Sequence, residues 1–180
     1  ASFYFDKDNV NFDDIRRFGF IKIIKAELKI DYLNKIGPDV LEISTKQSRI
    51  IIDKSKKSKS LIKDFILNQK YMSGVGNIYA NEILFASRIH PETKVNALSS
   101  NNWEDFFNNT KKIMRLAIKN NGTTLSDMTY FLPYGEFGSN QNFLKIYSKT
   151  NCFNCEHIID KIYINQRATY FCRKCQKLKN

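Results

Sequence analysis

The sequence predicts an α+β protein in which short strands, a helical middle and a small cysteine-bearing hairpin follow one another along the chain. Three observations predict this class. Short apolar runs flank a turn within residues 2–13, and apolar residues recur at helical spacing between residues 60 and 120. The last quarter carries Cys152-x-x-Cys155 followed by Cys172-x-x-Cys175. With 180 residues, 42% of them hydrophobic, the chain can bury one modest core and a small second unit.

The chain begins with two predicted strands, Phe3-Tyr4-Phe5 and Val10-Asn11-Phe12, joined by a turn at residues 6–9. The isoleucine-rich run from Phe20 to Leu28 predicts a third strand. Because so small a sheet is only marginally stable alone, we expect these strands to be the end of a larger sheet.

A loop from Asp14 to Gly19 separates these strands and contains Arg16, Arg17 and Phe18. Arginine side chains can hydrogen-bond to base edges, and a phenylalanine ring can wedge between base pairs. The alternative is an ordinary connection with Phe18 in the core, and the loop taken alone favours that alternative.

The middle of the chain predicts a linker, two helices and a glycine turn. Leu33 to Ser44 is interpreted as the linker, Ser60 to Lys70 as one helix, and Ile78 to about Arg88 as the next, with Asn77 as its N-cap. The glycines at residues 74–76 would let a phosphate approach the free N–H groups at the start of the second helix. A tight turn without a ligand is the alternative.

The clearest helical pattern runs from Ser100 to Asn120 and ends at a glycine cap, Gly122. Its apolar stripe predicts the side that faces the core: Trp103, Phe106, Phe107, Thr110, Ile113, Met114, Ala117 and Ile118. Thr124 to Asp127 has the spacing of a capping box for a short further helix. The aromatic stretch from Met128 to Asn142 predicts either a mobile loop over a ligand or a simple connection.

Three strands are predicted in the last quarter. Phe143 to Tyr147 leads into it, and Ile158 to Ile164 pairs with Ala168 to Phe171 in a hairpin. The predicted tip is Asn165-Gln166-Arg167, so that Arg167 projects from the end of the hairpin.

The four cysteines, Cys152, Cys155, Cys172 and Cys175, have the spacing of a structural zinc site. Four thiolates around one Zn²⁺ leave no position open for a substrate, so the metal is expected to stabilise the fold, contributing on the order of 10 kcal/mol. The alternatives are two disulfides or four buried thiols. Disulfides are typical of small secreted domains, and no apolar signal segment stands at the start of this sequence.

The net charge of +11 predicts a polyanionic partner. Seven basic residues and one acidic residue lie between Lys46 and Lys63, and eight basic and two acidic residues lie between Lys145 and Asn180. A solvated, lysine-rich surface is the alternative. A membrane partner is not expected, because no apolar run is long enough to cross a bilayer and neither basic block is predicted to form a basic amphipathic helix.

Four motifs, in the same order as in the family, resemble the formamidopyrimidine-DNA glycosylase (Fpg) family, whose members excise oxidised purines from DNA. They are Asp14-Ile15-Arg16-Arg17-Phe18-Gly19, Gly74-Val75-Gly76-Asn77-Ile78-Tyr79-Ala80, Gly122-Thr123-Thr124-Leu125, and Gln166-Arg167-Ala168-Thr169-Tyr170-Phe171-Cys172. The resemblance implies an incomplete β-sandwich and linker at residues 1–44, a helix-two-turns-helix domain at 45–142 and an Fpg-type zinc finger at 143–180.

The resemblance also implies the roles of individual residues. Lys70 and Asn77 would hold phosphates at the lesion, and Arg167 would clamp the backbone from the hairpin. Arg16 would fill the gap left by the everted nucleotide while Phe18 wedges beside it, which reverses the interpretation from the loop alone. The stretch from 126 to 142 corresponds to the family's loop over the flipped base.

The family's catalytic proline, glutamate and lysine lie in a segment ahead of this match, and Ala1 is not the secondary amine that the chemistry requires. We therefore expect no catalytic residue in this chain, and expect the chain to be a fragment, a truncated gene product or half of a split protein.

The leading hypothesis is the damaged-DNA-binding part of a glycosylase/AP lyase of base excision repair. Its partner would be double-stranded DNA with oxidised purines or abasic sites, and one structural Zn²⁺ its cofactor. The chain is expected to be a monomer or paired with a missing N-terminal half, and cytoplasmic (in the nucleoid) if bacterial. A homologue that binds damaged DNA without catalysis is the alternative, and a zinc-ribbon RNA-binding protein is the third hypothesis.

Overall fold

A computed structural model describes residues 1–14, 19–124 and 137–178 of the chain. It confirms the predicted α+β class, with helices and two small two-stranded sheets. The chain divides into two compact units, Ala1–Asn34 and Lys35–Asn180. No helix among the described residues is both long and apolar enough to cross a bilayer.

The first unit contains a β-hairpin followed by short helical turns. Strands β1 (Ser2–Tyr4) and β2 (Asn9–Asn11) pair antiparallel, which confirms two predicted strands, each beginning one residue earlier than expected. The predicted third strand is wrong, because residues 19–25 form no strand, and a 3₁₀ turn at Ala26–Leu28 leads into α1 (Lys29–Leu33). Ile23 in this segment is 91% exposed. No strand in the described residues pairs with this segment.

Helices form the first part of the second unit and a hairpin forms its end. The elements are α2 (Thr45–Lys56), α3 (Ile62–Leu67), α4 (Asn77–Ala86), a 3₁₀ turn at Val95–Ala97, α5 (Ser100–Lys119), a 3₁₀ turn at Asn140–Phe143, β3 (Asp160–Ile164) and β4 (Arg167–Phe171).

Helix α2 was not predicted, and the expectation that neither basic block forms an amphipathic helix is wrong. Ser44 caps the helix with a capping box to Gln47, and Ile51 and Ser55 form its buried side. Cations occupy much of the opposite side. The preceding linker is also packed into the core, because Val40 is only 2% exposed.

The turn between α3 and α4 differs from prediction in its cap. Helix α3 is shorter than the predicted helix at each end, and Gly76, not Asn77, is the N-cap residue of α4. Gly74 has a φ of +98°, a conformation that glycine adopts at little cost. Asn77 is therefore the first helical residue, and its Oδ1 accepts no hydrogen bond from the described residues.

Helix α5 confirms the strongest helical prediction. A capping box between Ser99 and Asn102 begins the helix. At its end, Asn121 (φ 56°) and Gly122 (φ 77°) donate their N–H groups to the carbonyls of Ile118 and Ala117, a Schellman arrangement that places Gly122 one residue beyond the left-handed cap.

The buried side of α5 packs into the main core of the second unit. Trp103 and Phe106 are buried there with Phe65, Ile62 and Ile83. Ile118 is an exception to the predicted stripe, because it is 61% exposed. The predicted capping box beyond Thr124 and residues 128–136 of the following stretch lie outside the described residues.

The terminal hairpin has a shorter tip than predicted. Strands β3 and β4 pair antiparallel with Ile164 opposite Arg167, so Asn165 and Gln166 alone form the turn. Both turn residues have positive φ, 46° and 62°, as a two-residue type I′ hairpin requires. Arg167 is thus the first residue of β4. The predicted strand at residues 143–147 is wrong, since that segment forms no strand.

Candidate metal centre and nucleic-acid interface

Two cysteine turns bring four sulfur atoms together at the base of the hairpin. The Sγ atoms of Cys152, Cys155, Cys172 and Cys175 all lie within 4.8 Å of one another. Three of the separations are 3.5 Å (155–172), 3.6 Å (155–175) and 3.8 Å (152–175). Sulfurs placed tetrahedrally at about 2.3 Å from a zinc ion lie about 3.8 Å apart. The donors and their spacing fit such an ion, and the distances are too long for the alternative disulfides, whose sulfurs lie about 2 Å apart.

The metal-free thiols are chemically unequal. A hydrogen bond from the backbone of His157 lowers the pKa of Cys155 to about 7, while burial raises the pKa of Cys172 and raises that of Cys175 to about 12. Four clustered thiolates would repel one another without a cation between them. A divalent ion at the centre would favour the thiolate forms.

Residues 145–176, which contain the four cysteines and the hairpin and which we call the cysteine unit, are attached to the helices by buried polar groups. Glu82 of α4 accepts hydrogen bonds from the N–H groups of Lys145 (2.8 Å), Ile146 (3.0 Å) and Tyr147 (2.8 Å). Gln176 donates from Nε2 to the carbonyl of Ile89 (2.8 Å) and accepts from the N–H of Cys172 (2.9 Å). The hairpin is thereby held in a fixed position relative to α4.

Two of the predicted DNA-binding residues, Asn77 and Arg167, lie close together. Nδ2 of Asn77 donates to the carbonyl of Ala168 at 3.1 Å, next to the exposed Arg167. Oδ1 of Asn77 is buried and has no hydrogen-bond partner in the described part of the chain. The start of α4 therefore touches the start of β4.

Lys70 lies on an exposed turn after α3. The neighbouring Gln69 connects this turn to the glycine turn, because its side chain donates to the carbonyl of Val75 (3.1 Å) and accepts from the N–H of Gly74 (3.0 Å). These bonds hold the turn that contains Lys70 next to the glycine turn that precedes Asn77. Arg16 and Phe18 lie outside the described residues.

Sequence reasoning missed a buried lysine in this interface. Lys63 belongs to the basic residues expected to face a polyanion or solvent, yet its side chain is 0% exposed. Its Nζ donates to Thr169 Oγ1 (2.6 Å), Ala168 O (3.0 Å) and Asn81 Oδ1 (3.4 Å). We call Lys63, Asn77, Asn81, Ala168 and Thr169 the lysine network. A signal was present in the helical pattern, since Lys63 falls between the apolar residues Ile62 and Phe65 of a short helix.

Asn81 joins the two sides of the lysine network. Its Nδ2 donates to the backbone carbonyl of Asn77 (2.7 Å), and its Oδ1 accepts from the N–H of Tyr170 (2.8 Å). Helix α4 and strand β4 are therefore connected by side-chain amides as well as by Lys63.

The chain matches the model of the formamidopyrimidine-DNA glycosylase H2TH domain over residues 36–129. It is 41% identical to the formamidopyrimidine-DNA glycosylase of Mycoplasma genitalium, covering 99% of this chain and 63% of the relative. Identity to the Listeria innocua protein of the same name is 37%, covering 96% and 63%. The chain thus spans less than two thirds of the length of these relatives.

Solved structures give the same result. The Lactococcus lactis Fpg in complex with DNA containing an abasic site superimposes with a TM-score of 0.85 at 30% identity, over 98% of this chain and 65% of that one. The MutM (Fpg) protein of Thermus thermophilus superimposes with a TM-score of 0.88 at 27% identity, over 99% and 68%.

Proposed function

Because the chain belongs to the formamidopyrimidine-DNA glycosylase family, we propose that it binds damaged double-stranded DNA as part of a glycosylase/AP lyase that removes oxidised purines in base excision repair. The observation that carries the proposal is the hydrogen bond between Asn77 and Ala168. It places the start of α4 beside the start of β4, where Arg167 carries a positive charge. Such an arrangement offers N–H donors and a guanidinium to adjacent phosphates.

The proposed phosphate contacts are Lys70, Asn77 and Arg167. Two kinds of support exist for them: Lys70 and Arg167 are exposed cations, and one N–H of the Asn77 amide remains available after the bond to Ala168. Arg16 and Phe18 are proposed to enter the duplex, on the strength of the resemblance alone.

A single Zn²⁺, held by Cys152, Cys155, Cys172 and Cys175, is proposed as the cofactor. The sulfur separations support it. When bound, the ion would act structurally, since four protein ligands leave no open position for substrate. The cysteines themselves hold the base of the hairpin, and through it the position of Arg167.

The proposed domains are the sandwich end and linker at residues 1–44, the helix-two-turns-helix domain at 45–142 and the zinc finger at 143–180. The capping box at Ser44 supports a helix start at Thr45, ten residues after the compact second unit begins at Lys35. The catalytic nucleophile is proposed to lie outside these 180 residues. A homologue that binds damaged DNA without cleaving it is the alternative.

The test is a direct binding measurement. The chain, loaded with zinc, is titrated at one fixed salt concentration with a short duplex containing an abasic-site analogue, with the matched undamaged duplex and with a single-stranded RNA of the same length. Tighter binding of the damaged duplex is expected. Equal binding of both duplexes would contradict recognition of damage, and preference for single-stranded RNA would favour the zinc-ribbon hypothesis.

A further inference from the structure

Lys63 differs from the other lysines of its basic block, because its charge lies inside the protein. All three ammonium donors are used, by Ala168, Thr169 and Asn81. Burying an ammonium group is costly unless it is bonded. Because burying Lys63 costs free energy and does not improve solubility, its position suggests a specific structural role.

Through shared partners, the hydrogen bonds of Lys63 connect it to two of the three residues proposed to bind phosphate, Asn77 and Arg167. The carbonyl of Ala168 accepts from Lys63 Nζ at 3.0 Å and from Asn77 Nδ2 at 3.1 Å. The hydroxyl of Thr169 accepts from Lys63 and donates to the carbonyl of Arg167 at 3.0 Å. Lys63 therefore constrains the backbone of the first three residues of β4 and shares an acceptor with the amide of Asn77.

We propose that Lys63 is a positioning residue for DNA binding, which holds Arg167 against Asn77. We further propose that the ammonium group of Lys63 keeps its proton to higher pH when DNA is bound. This inference rests on the proposed function, since it requires phosphates beside Arg167 and Asn77.

The charges around Lys63 determine the expected pH dependence. Burial and, second, the positive charge of Arg167 lower the pKa of Lys63 to about 8, while Asp64 acts in the opposite direction. A phosphate paired with Arg167 offsets that positive charge, so the pKa of Lys63 rises in the complex. Above pH 8 the complex then holds more protons than the free chain, and affinity falls as pH rises. Below pH 7 Lys63 is protonated in both states, and this dependence vanishes.

The experiment measures the Kd of the whole zinc-loaded chain for a duplex with an abasic-site analogue from pH 6.5 to 9.5 at constant salt. Proton uptake is measured at pH 8.5 by calorimetry in two buffers of different ionisation enthalpy. We expect a fraction of one proton to be taken up, and affinity to fall by at most about tenfold per pH unit above pH 8. Lys63→Met should bind about tenfold more weakly at pH 7 and lose this pH dependence. Lys59→Met removes the same charge from an exposed position and should keep it.

Two results would overturn the inference: no proton uptake by the unmodified chain, or a Lys63→Met profile that matches the Lys59→Met profile. If circular dichroism shows that Lys63→Met does not fold, Thr169→Val replaces it. Losing that acceptor destabilises the charged form of Lys63, so the fall in affinity should begin at lower pH, and an unmoved profile would overturn the inference. Absence of binding at every pH would contradict the proposed function itself, whereas pH-independent binding contradicts this inference alone.

Discussion

Glu82 determines the path of the chain where it leaves the helices and enters the cysteine unit. Its carboxylate is buried, and it accepts from three consecutive backbone N–H groups, those of residues 145–147. These bonds satisfy donors that would otherwise require a strand partner. The carboxylate therefore accepts the hydrogen bonds that a neighbouring strand would otherwise accept, and the segment does not form the predicted strand.

Glu82→Gln is expected to lower the free energy of unfolding by about 2–3 kcal/mol, because hydrogen bonds to a charged acceptor are lost and an amide N–H₂ faces three donors. Urea denaturation of the zinc-loaded chain measures this. Glu104→Gln, at an exposed position of α5, is the matched control and should change stability by less than about 0.5 kcal/mol. Equal effects of the two substitutions would contradict the role of Glu82.

Arg167→Ala is expected to weaken binding to a duplex with an abasic-site analogue and to reduce the slope of log Kd against log salt concentration by about one unit, since one phosphate contact is lost. The measurement is a salt titration from low to moderate ionic strength. Lys177→Ala removes an equal charge from an exposed position of the same unit and is the control. An unchanged slope for Arg167→Ala would mean that the start of β4 does not touch phosphate.

Single residues show which parts of the site the sequence could predict. The cysteine cluster was predictable, because the two cysteines of each pair have two residues between them, a spacing typical of metal-binding turns. The role of Lys63 was not, since its acceptors Ala168 and Thr169 are 105 and 106 residues away in the sequence. The apolar neighbours Ile62 and Phe65 could indicate that Lys63 is buried, but nothing local identifies its partners.

At the level of elements, a long helix with a regular apolar pattern was predictable, whereas short elements were not. Helix α5 has 20 residues with a clear apolar stripe and caps at both ends. Helix α2 was missed because Ile50-Ile51-Ile52 interrupts its period, so that one isoleucine faces the core while Ile50 remains exposed. The run from Phe20 to Leu28 resembles a strand in composition, but a strand forms only where a neighbouring edge accepts its hydrogen bonds.

Removing zinc is expected to unfold the cysteine unit and leave the helices folded. The buried cluster formed by Phe85, Ile146, Ile159 and the cysteines is small, whereas the helices have a separate core around Trp103 and Phe106. The proposed metal binding, worth on the order of 10 kcal/mol, would then provide most of the stability of the smaller cluster. When a chelator removes zinc, the amide NMR signals of β3 and β4 should lose their chemical-shift dispersion, while those of α5 remain dispersed. Hairpin signals that survive chelation would contradict this division, as would loss of the α5 signals.

For the whole molecule, the proposal that the catalytic nucleophile lies outside these 180 residues can be tested through amine chemistry. A glycosylase/lyase forms a Schiff base between an amine and the damaged sugar, and borohydride reduces that intermediate to a stable adduct. In this chain Lys63 has a lowered pKa, but it is fully buried and bonded to three acceptors. Its position does not allow it to reach a sugar.

We therefore expect the 180-residue chain to bind DNA containing oxidised guanine without forming a borohydride-trapped adduct. The full-length Mycoplasma genitalium relative provides the positive control on the same duplex, and a gel shift at the same protein concentration shows that the DNA is occupied. An adduct formed by this chain alone would place a reactive amine within these 180 residues and overturn the proposed division. Since Lys63→Met removes the amine with the lowered pKa, an adduct that persisted in that variant would point to a different amine.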